Sequence, residues 1–258
     1  MAKPRVMVLR APGTNCDQET AYAFAQAGGA ADVSHVNRLL ENPRLAREYQ
    51  ILCVPGGFSY GDDVAAGRIL GNLFQHHLND AMTEFKAAGK LILGICNGFQ
   101  VLIKSGVLLA DDEQGAPATL CLNDSGRYLD RWVHLAAEGD KCVFLRGMRR
   151  VELPVAHAEG KFVARNEVEL DRLARGGQLV LRYISPTGSA EVSFPANPNG
   201  SQANVAGICD ETGRVLGLMP HPERNIDPTH HPQWTRRQCP APGDGLRLFQ
   251  NAVDYFAA

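Results

Sequence analysis

The chain has 258 residues, 45% of them hydrophobic and 21% charged, which is enough to bury the core of one large α/β domain over residues 1–258 or the cores of two small ones. Its formal net charge of −2 excludes the positive surface that nucleic acid or an anionic membrane would require. Seven scattered cysteines without a CxxC pair, no secretory leader pattern and no membrane-length apolar run together predict a cytoplasmic protein with reduced thiols.

The first part of the chain alternates strands and helices. Apolar runs predict strands at residues 5–10, 31–36 and 50–54. Helices are predicted after Asp17, with Asn15 or Asp17 as its cap, and from Asn42-Pro43, where proline suits the first position. This alternation predicts a doubly wound, mostly parallel sheet flanked by helices, in which ligands gather at the carboxyl ends of the strands.

The third strand ends in Pro55-Gly56-Gly57, and residues 58–63 after it predict a loop over a site at this end of the sheet. Glycines there can turn backbone N–H groups towards a ligand, because no side chain blocks the approach. Two helical segments are predicted between about residues 64 and 90.

A buried strand at 91–95 turns into a helical pattern directly after Cys96, with Gly94 and Gly98 on either side. This spacing is that of a nucleophile elbow with sulfur in place of oxygen. The start of a helix also stabilises a thiolate. The alternative is an ordinary buried cysteine at the end of a core strand.

Beyond residue 109 the pattern predicts an added antiparallel section. Strands are expected at 120–137, interrupted by a turn at 124–126, and at 142–145, 151–157 and 178–184, with a hairpin at 205–219. Helices are expected at 170–174 and 246–256, and an irregular segment rich in Pro and His at 226–243.

His221-Pro222-Glu223 places an imidazole and a carboxylate two positions apart, so both can point the same way. A carboxylate beside one imidazole nitrogen leaves the other facing a nucleophile, so Cys96, His221 and Glu223 can act as nucleophile, base and orienting group. The N–H groups of Gly57 and Asn97 would form an oxyanion hole.

In chain order, Pro55-Gly56-Gly57, Gly94-x-Cys96-x-Gly98-x-Gln100 and His221-Pro222-Glu223 resemble the motifs of the class I glutamine amidotransferases. Further stretches at 12–17, 57–62, 123–128 and 157–162 are similar to the glutaminase components of phosphoribosylformylglycinamidine synthases, which act in purine synthesis. The resemblance covers nearly the whole chain. It departs at Ala158, where the family has glycine, and in the longer segment at 226–243.

The resemblance implies a class I glutamine amidotransferase fold in which Cys96 attacks glutamine and Gly56 and Gln100 help to hold it. It further implies that ammonia passes to a separate synthetase chain, with a small third subunit completing the assembly. ATP and magnesium are expected on the synthetase, and neither cofactor nor metal on this chain, which has no GxxxxGK[ST] phosphate loop. Residues 58–63, 123–132 and 157–162 are candidates for the interface.

Three other functions are compatible with these residues. The chain could be a class I glutaminase subunit for another acceptor, such as a cobyric acid or pyridoxal phosphate pathway, or a free-standing thiol amidohydrolase that needs no partner. It could also be a non-catalytic scaffold on the same fold, which the presence of all three catalytic residue types disfavours. A zinc site at His76-His77 or His230-His231 is disfavoured, because adjacent residues on a helix face different directions and no Cys or His lies three or four positions from His76 or His77. These histidines are predicted to be solvated surface residues.

Overall fold

The structure is a computed structural model that describes residues 2–237, 239 and 241–257. Its strands are β1 (Arg5–Arg10), β2 (Ala30–His35), β3 (Ile51–Val54), β4 (Leu91–Ile95), β5 (Ala118–Leu122), β6 (Leu129–Ala137), β7 (Arg150–His157), β8 (Glu159–Ala164), β9 (Leu181–Ile184), β10 (Val205–Cys209) and β11 (Val215–Leu218). Its helices are α1 (Asp17–Gln26), α2 (Val36–Glu41), α3 (Arg68–Leu73), α4 (Asn79–Ala87), α5 (Asn97–Lys104), α6 (Glu167–Arg175) and α7 (Leu246–Asp254).

Nine strands form one sheet in the order β2-β1-β3-β4-β11-β10-β9-β6-β7. The half that runs from β2 to β11 is parallel, and its inner strands are continuous apolar runs because helices cover both faces. On one face α1 packs against α7, with Phe24 edge-on to Phe249 at 4.9 Å. This is the predicted doubly wound core.

The half from β10 to β7 is antiparallel, and β5 and β8 form a separate two-stranded sheet. The predicted doubly wound, mostly parallel sheet with an added antiparallel section is therefore confirmed. The register pairs Val54 of β3 with Gly94 of β4, so the segments that follow these strands leave the sheet at the same edge.

The outer edge of β7 is covered by the chain that follows His221. Pro154 carries no N–H, and its carbonyl accepts a hydrogen bond from the His221 N–H at 2.8 Å. The N–H of Glu152 donates to Asp244 Oδ2 at 2.8 Å, and its carbonyl accepts from Asn225 Nδ2 at 2.7 Å. Groups on this edge that would otherwise stay unpaired are thus bonded within the chain.

The predicted strand at 142–145 is wrong. Val143–Leu145 forms a short 3₁₀ turn whose three apolar side chains are all buried, and Asn251 of α7 donates to the Phe144 carbonyl at 2.8 Å. A run that is buried on every side lacks the alternation that marks a half-exposed strand.

Two smaller expectations near the helix starts also need correction. The N-cap of α1 is Cys16, which makes no side-chain capping hydrogen bond, rather than Asn15 or Asp17. Asp17 instead lies in the first helical turn and pairs with Arg10. Helix α2 was not predicted, and the proline-led segment Pro43–Glu48 that follows it is a 3₁₀ helix.

None of the helices in the described residues combines the length and apolar character that crossing a membrane would require.

Candidate active site

Cys96 occupies the corner between β4 and α5 with φ 50° and ψ −105°, a conformation that costs a non-glycine residue free energy. Its N–H donates to the Leu218 carbonyl at 2.8 Å, which anchors the corner to β11. At Gly98 an added Cβ would lie 1.8 Å from the Val54 carbonyl oxygen, so only glycine lets the helix start this close to β3. The predicted sharp turn from strand to helix with a cysteine at its corner is present.

His221 and Glu223 form a buried pair, each with about 2% of its surface exposed, in which His221 Nδ1 and Glu223 Oε1 are 2.6 Å apart. Burial alone would lower the pKa of His221, but the Glu223 carboxylate, followed by the Cys96 and Cys16 sulfurs, raises it well above its usual value. The imidazolium form is therefore favoured at this position. His221 Nε2 and Glu223 Oε2 are buried without a hydrogen-bond partner in the described part of the chain.

The imidazole lies directly against the double glycine. A Cβ placed on Gly56 would be 2.7 Å from His221 Cε1. The Cys96 thiol points towards the Ala156 carbonyl of β7 at 3.7 Å, and Cys96 contributes to the raised pKa of His221. The double glycine, the Cys96 corner and the His221–Glu223 pair thus lie at the same edge of the sheet, and their catalytic roles stay predictions.

The Gly56–Gly57 peptide is held from behind by the loop between β1 and α1. The Cys16 N–H donates to the Gly56 carbonyl at 3.2 Å, and the Phe58 N–H donates to the Gly13 carbonyl at 2.9 Å. Because C=O and N–H point in opposite directions across a trans peptide, anchoring the Gly56 carbonyl to the loop turns the Gly57 N–H away from it. Gly57 has φ 142°, a value that favours glycine.

The Asn97 side chain connects the elbow to the loop at 58–62. Its Oδ1 accepts from the Ser59 N–H at 3.1 Å, and its Nδ2 donates to Asp62 Oδ1 at 3.1 Å and to Gln100 Oε1 at 2.9 Å. Gln100 Nε2 in turn donates to the Glu159 carbonyl at 2.5 Å. Gln100 therefore fixes the wall of the site, and its role as a direct glutamine ligand stays a prediction.

The exposed aromatic residues at this edge are Phe58 and Tyr128, which stack with ring centroids 6.4 Å apart and are 42% and 49% exposed. Burial raises the pKa of Tyr128, and the charge of Cys96 adds to this effect while that of His221 opposes it. Phe58 precedes Ser59, whose N–H is bonded to the Asn97 side chain, so this aromatic pair lies beside the Cys96 corner. Residues 157–162, the third interface candidate, are less accessible to a partner than the two aromatic residues, because the side chains of His157 and Phe162 are buried. Burial and the charge of His221 lower the pKa of His157 to about 3, so this imidazole is neutral.

Sequence reasoning missed the part played by Cys16. Its sulfur, a His221 ring nitrogen and a Glu223 oxygen all lie within 4.8 Å of one another, and all three residues are buried. These atoms could hold a metal ion, and no other such group occurs among the described residues. The unusual composition of the loop at 12–17 was visible in the sequence. It did not indicate that Cys16 would contact His221, which lies 205 residues further along the chain.

The prediction of surface histidines holds for His76, His77 and His230 but is wrong for His231, which is buried with its Nε2 3.2 Å from Glu152 Oε1.

Comparisons with known proteins identify the family of the chain and its fold. The family model for the CobB/CobQ-like glutamine amidotransferase domain matches residues 3–256. Phosphoribosylformylglycinamidine synthase subunit PurQ of Dehalococcoides mccartyi is 44% identical over 99% of this chain and 98% of its own, and that of Methanococcus maripaludis is 40% identical over 98% and 97%. A solved structure described as PurLQS from Thermotoga maritima aligns with TM-score 0.74 and 29% identity over 99% of this chain and 100% of the matched chain.

Proposed function

The chain belongs to the CobB/CobQ-like glutamine amidotransferase domain family, and we propose that it is the glutaminase subunit of a phosphoribosylformylglycinamidine synthase. It hydrolyses glutamine to glutamate and ammonia, and the ammonia is used by a synthetase that converts formylglycinamide ribonucleotide to formylglycinamidine ribonucleotide in purine biosynthesis. The observation that carries this assignment is the near full-length similarity to PurQ subunits. That similarity favours formylglycinamide ribonucleotide as the acceptor of the ammonia over the acceptors of other glutamine amidotransferases.

In the acylation step, the Cys96 thiolate attacks the side-chain carbonyl carbon of glutamine and a C–S bond forms. The carbonyl electron pair moves to oxygen, and this oxyanion is stabilised by the N–H groups of Gly57 and Asn97. In the described structure neither N–H donates to another group of the chain, so both are available to the substrate. When the C–N bond breaks, the His221 imidazolium donates its proton to the departing nitrogen and ammonia leaves.

In the deacylation step, a water molecule attacks the glutamyl thioester while neutral His221 takes a proton from that water. The C–S bond breaks, glutamate leaves and the Cys96–His221 pair is restored. Glu223 touches no substrate atom in this scheme. It holds Nδ1 of the imidazole, which sets the tautomer and directs Nε2 to the reacting atoms.

We assign the docking of the synthetase to the face formed by Phe58 and Tyr128, next to the point where ammonia is released. Aromatic residues are enriched at protein interfaces, and an adjacent partner would keep ammonia from bulk solvent. ATP and magnesium act on the synthetase chain, and a small third subunit completes the assembly, as the PurLQS description of the related structure suggests. The reduced cysteines of the described chain fit a cytoplasmic location.

The test uses the assembled complex of this chain with its synthetase and small subunit. Cys96→Ala should abolish synthesis with glutamine as the nitrogen donor and leave synthesis with ammonium chloride unchanged. The control is Cys142→Ala, which removes another buried thiol. Cys142 lies beside Gly213, before β11 begins, whereas His221 follows the other end of that strand. If the Cys96 variant still releases glutamate, or if the wild-type complex uses only ammonium, the proposal is wrong. Rapid glutamine hydrolysis by the isolated chain would favour the free-standing amidohydrolase.

A further inference from the structure

The proposed reaction uses one thiol, yet a second cysteine lies against the same imidazole. Cys16 is 1% exposed, and its sulfur lies 3.1 Å from where a Cβ on Gly56 would be, a position that also touches His221. Burial raises the pKa of Cys16, so this thiol stays protonated and is unsuited to nucleophilic attack. Its contacts point to a different task.

The Cys16 thiol is hydrogen-bonded on two sides. The S–H donates to Asn15 Oδ1 at 3.2 Å, and Arg224 Nη2 donates to the sulfur at 3.1 Å. Arg224 follows Glu223 directly in the chain, and its Nε donates to Glu19 Oε1 of α1 at 3.0 Å. The turn that carries Glu223 is therefore tied to the start of α1 through the cysteine sulfur and a carboxylate.

The main chain of Cys16 contacts the double glycine as well, because its N–H donates to the Gly56 carbonyl at 3.2 Å. We propose that Cys16 is a positioning residue for glutamine hydrolysis, which fixes the His221 imidazole relative to the Gly57 N–H that stabilises the oxyanion. The proposal rests on the proposed function. It explains why a buried, protonated thiol contacts both the histidine and the double glycine.

A residue of this kind affects the chemical step more than substrate binding. Misplacing a catalytic group by about 1 Å can cost about 10²-fold in rate. Loss of one of several contacts around His221 should cost less, since Glu223 still holds Nδ1 at 2.6 Å. We therefore expect Cys16→Ala to lower kcat for glutamine about tenfold and to change KM by less than about twofold.

Cys16→Ser tests whether hydrogen bonding or packing matters. A hydroxyl can accept from Arg224 and donate to Asn15, so serine should restore kcat to within about threefold of the wild type. Arg224→Gln should reproduce the alanine defect without altering the thiol, and the Cys16→Ala/Arg224→Gln double variant should be little worse than either single variant. The control is again Cys142→Ala, fully buried but away from the site.

The variants are assayed in the assembled complex, with glutamine and then with ammonium chloride, and their thermal unfolding is compared. The proposal is overturned if Cys16→Ala keeps wild-type kcat. It is equally overturned if KM rises with kcat unchanged, or if serine is no better than alanine while both unfold earlier than the control variant. If a Cys16 variant does not fold, the kcat and KM of Arg224→Gln alone decide whether the proposal stands. A wild-type complex without glutamine-dependent synthesis would instead refute the proposed function, so the two failures are distinguishable.

Discussion

Gly56→Ala tests the close packing of the imidazole on the double glycine. An added Cβ would lie 2.7 Å from His221 Cε1, about 0.7 Å short of the 3.4 Å at which ordinary van der Waals contact begins. It would also lie 3.1 Å from the Cys16 sulfur, so the new methyl group cannot relieve the contact by moving towards that sulfur. The imidazole must therefore shift by several tenths of an ångström away from its aligned position.

A shift of this size should lower kcat for glutamine between about tenfold and 10²-fold, which corresponds to roughly 1.4–2.7 kcal/mol of lost transition-state stabilisation. The assay is glutamate release by the assembled complex, with ammonium-dependent synthesis as the internal reference for an intact synthetase. Gly71→Ala in α3 is the control, because its nearest atom to an added Cβ is 3.3 Å away and belongs to Lys104. A kcat for Gly56→Ala within twofold of that control would refute the packing argument.

Two further predictions concern the proton-transferring pair and the docking face. Glu223 raises the pKa of His221, so Glu223→Gln should let the imidazolium lose its proton at lower pH. The alkaline limb of the glutaminase pH profile then moves to lower pH, with kcat reduced about 10²-fold or more; a limb that stays in place or moves upwards contradicts this. Tyr128→Ala should weaken binding of the synthetase about tenfold by calorimetric titration. The control Tyr22→Ala, at a 57% exposed tyrosine on α1, should leave the affinity for the synthetase unchanged. If both variants weaken synthetase binding equally, the proposed docking face is excluded.

The turn at Cys96 and the His221–Glu223 pair could be predicted because each is encoded by residues close together in the chain. Gly94, Cys96 and Gly98 form the elbow within five residues, and His221 and Glu223 are two residues apart, so short-range patterns were sufficient. Bringing them together required only the rule that ligands bind at the carboxyl ends of parallel strands. The assignment of catalytic roles to these side chains, and the extent of the single domain, stay predictions.

What could not be predicted depends on contacts between distant segments. The turn at Val143–Leu145 looks like a strand until α7 covers it, more than a hundred residues later. The role of Cys16 depends on Arg224 and His221, whose side chains reach it only after folding. Neither interaction leaves a periodic or compositional signal, since each joins single residues across the fold.

The covering of β7 by the chain after His221 has a consequence for handling the protein. An open terminal strand is a template on which another molecule can add a strand, and aggregation often begins in this way. Here Asp244 and Asn225 occupy the positions that an incoming strand would use. These two side chains thus keep separate copies of the protein from joining edge to edge, and their loss would lower its solubility.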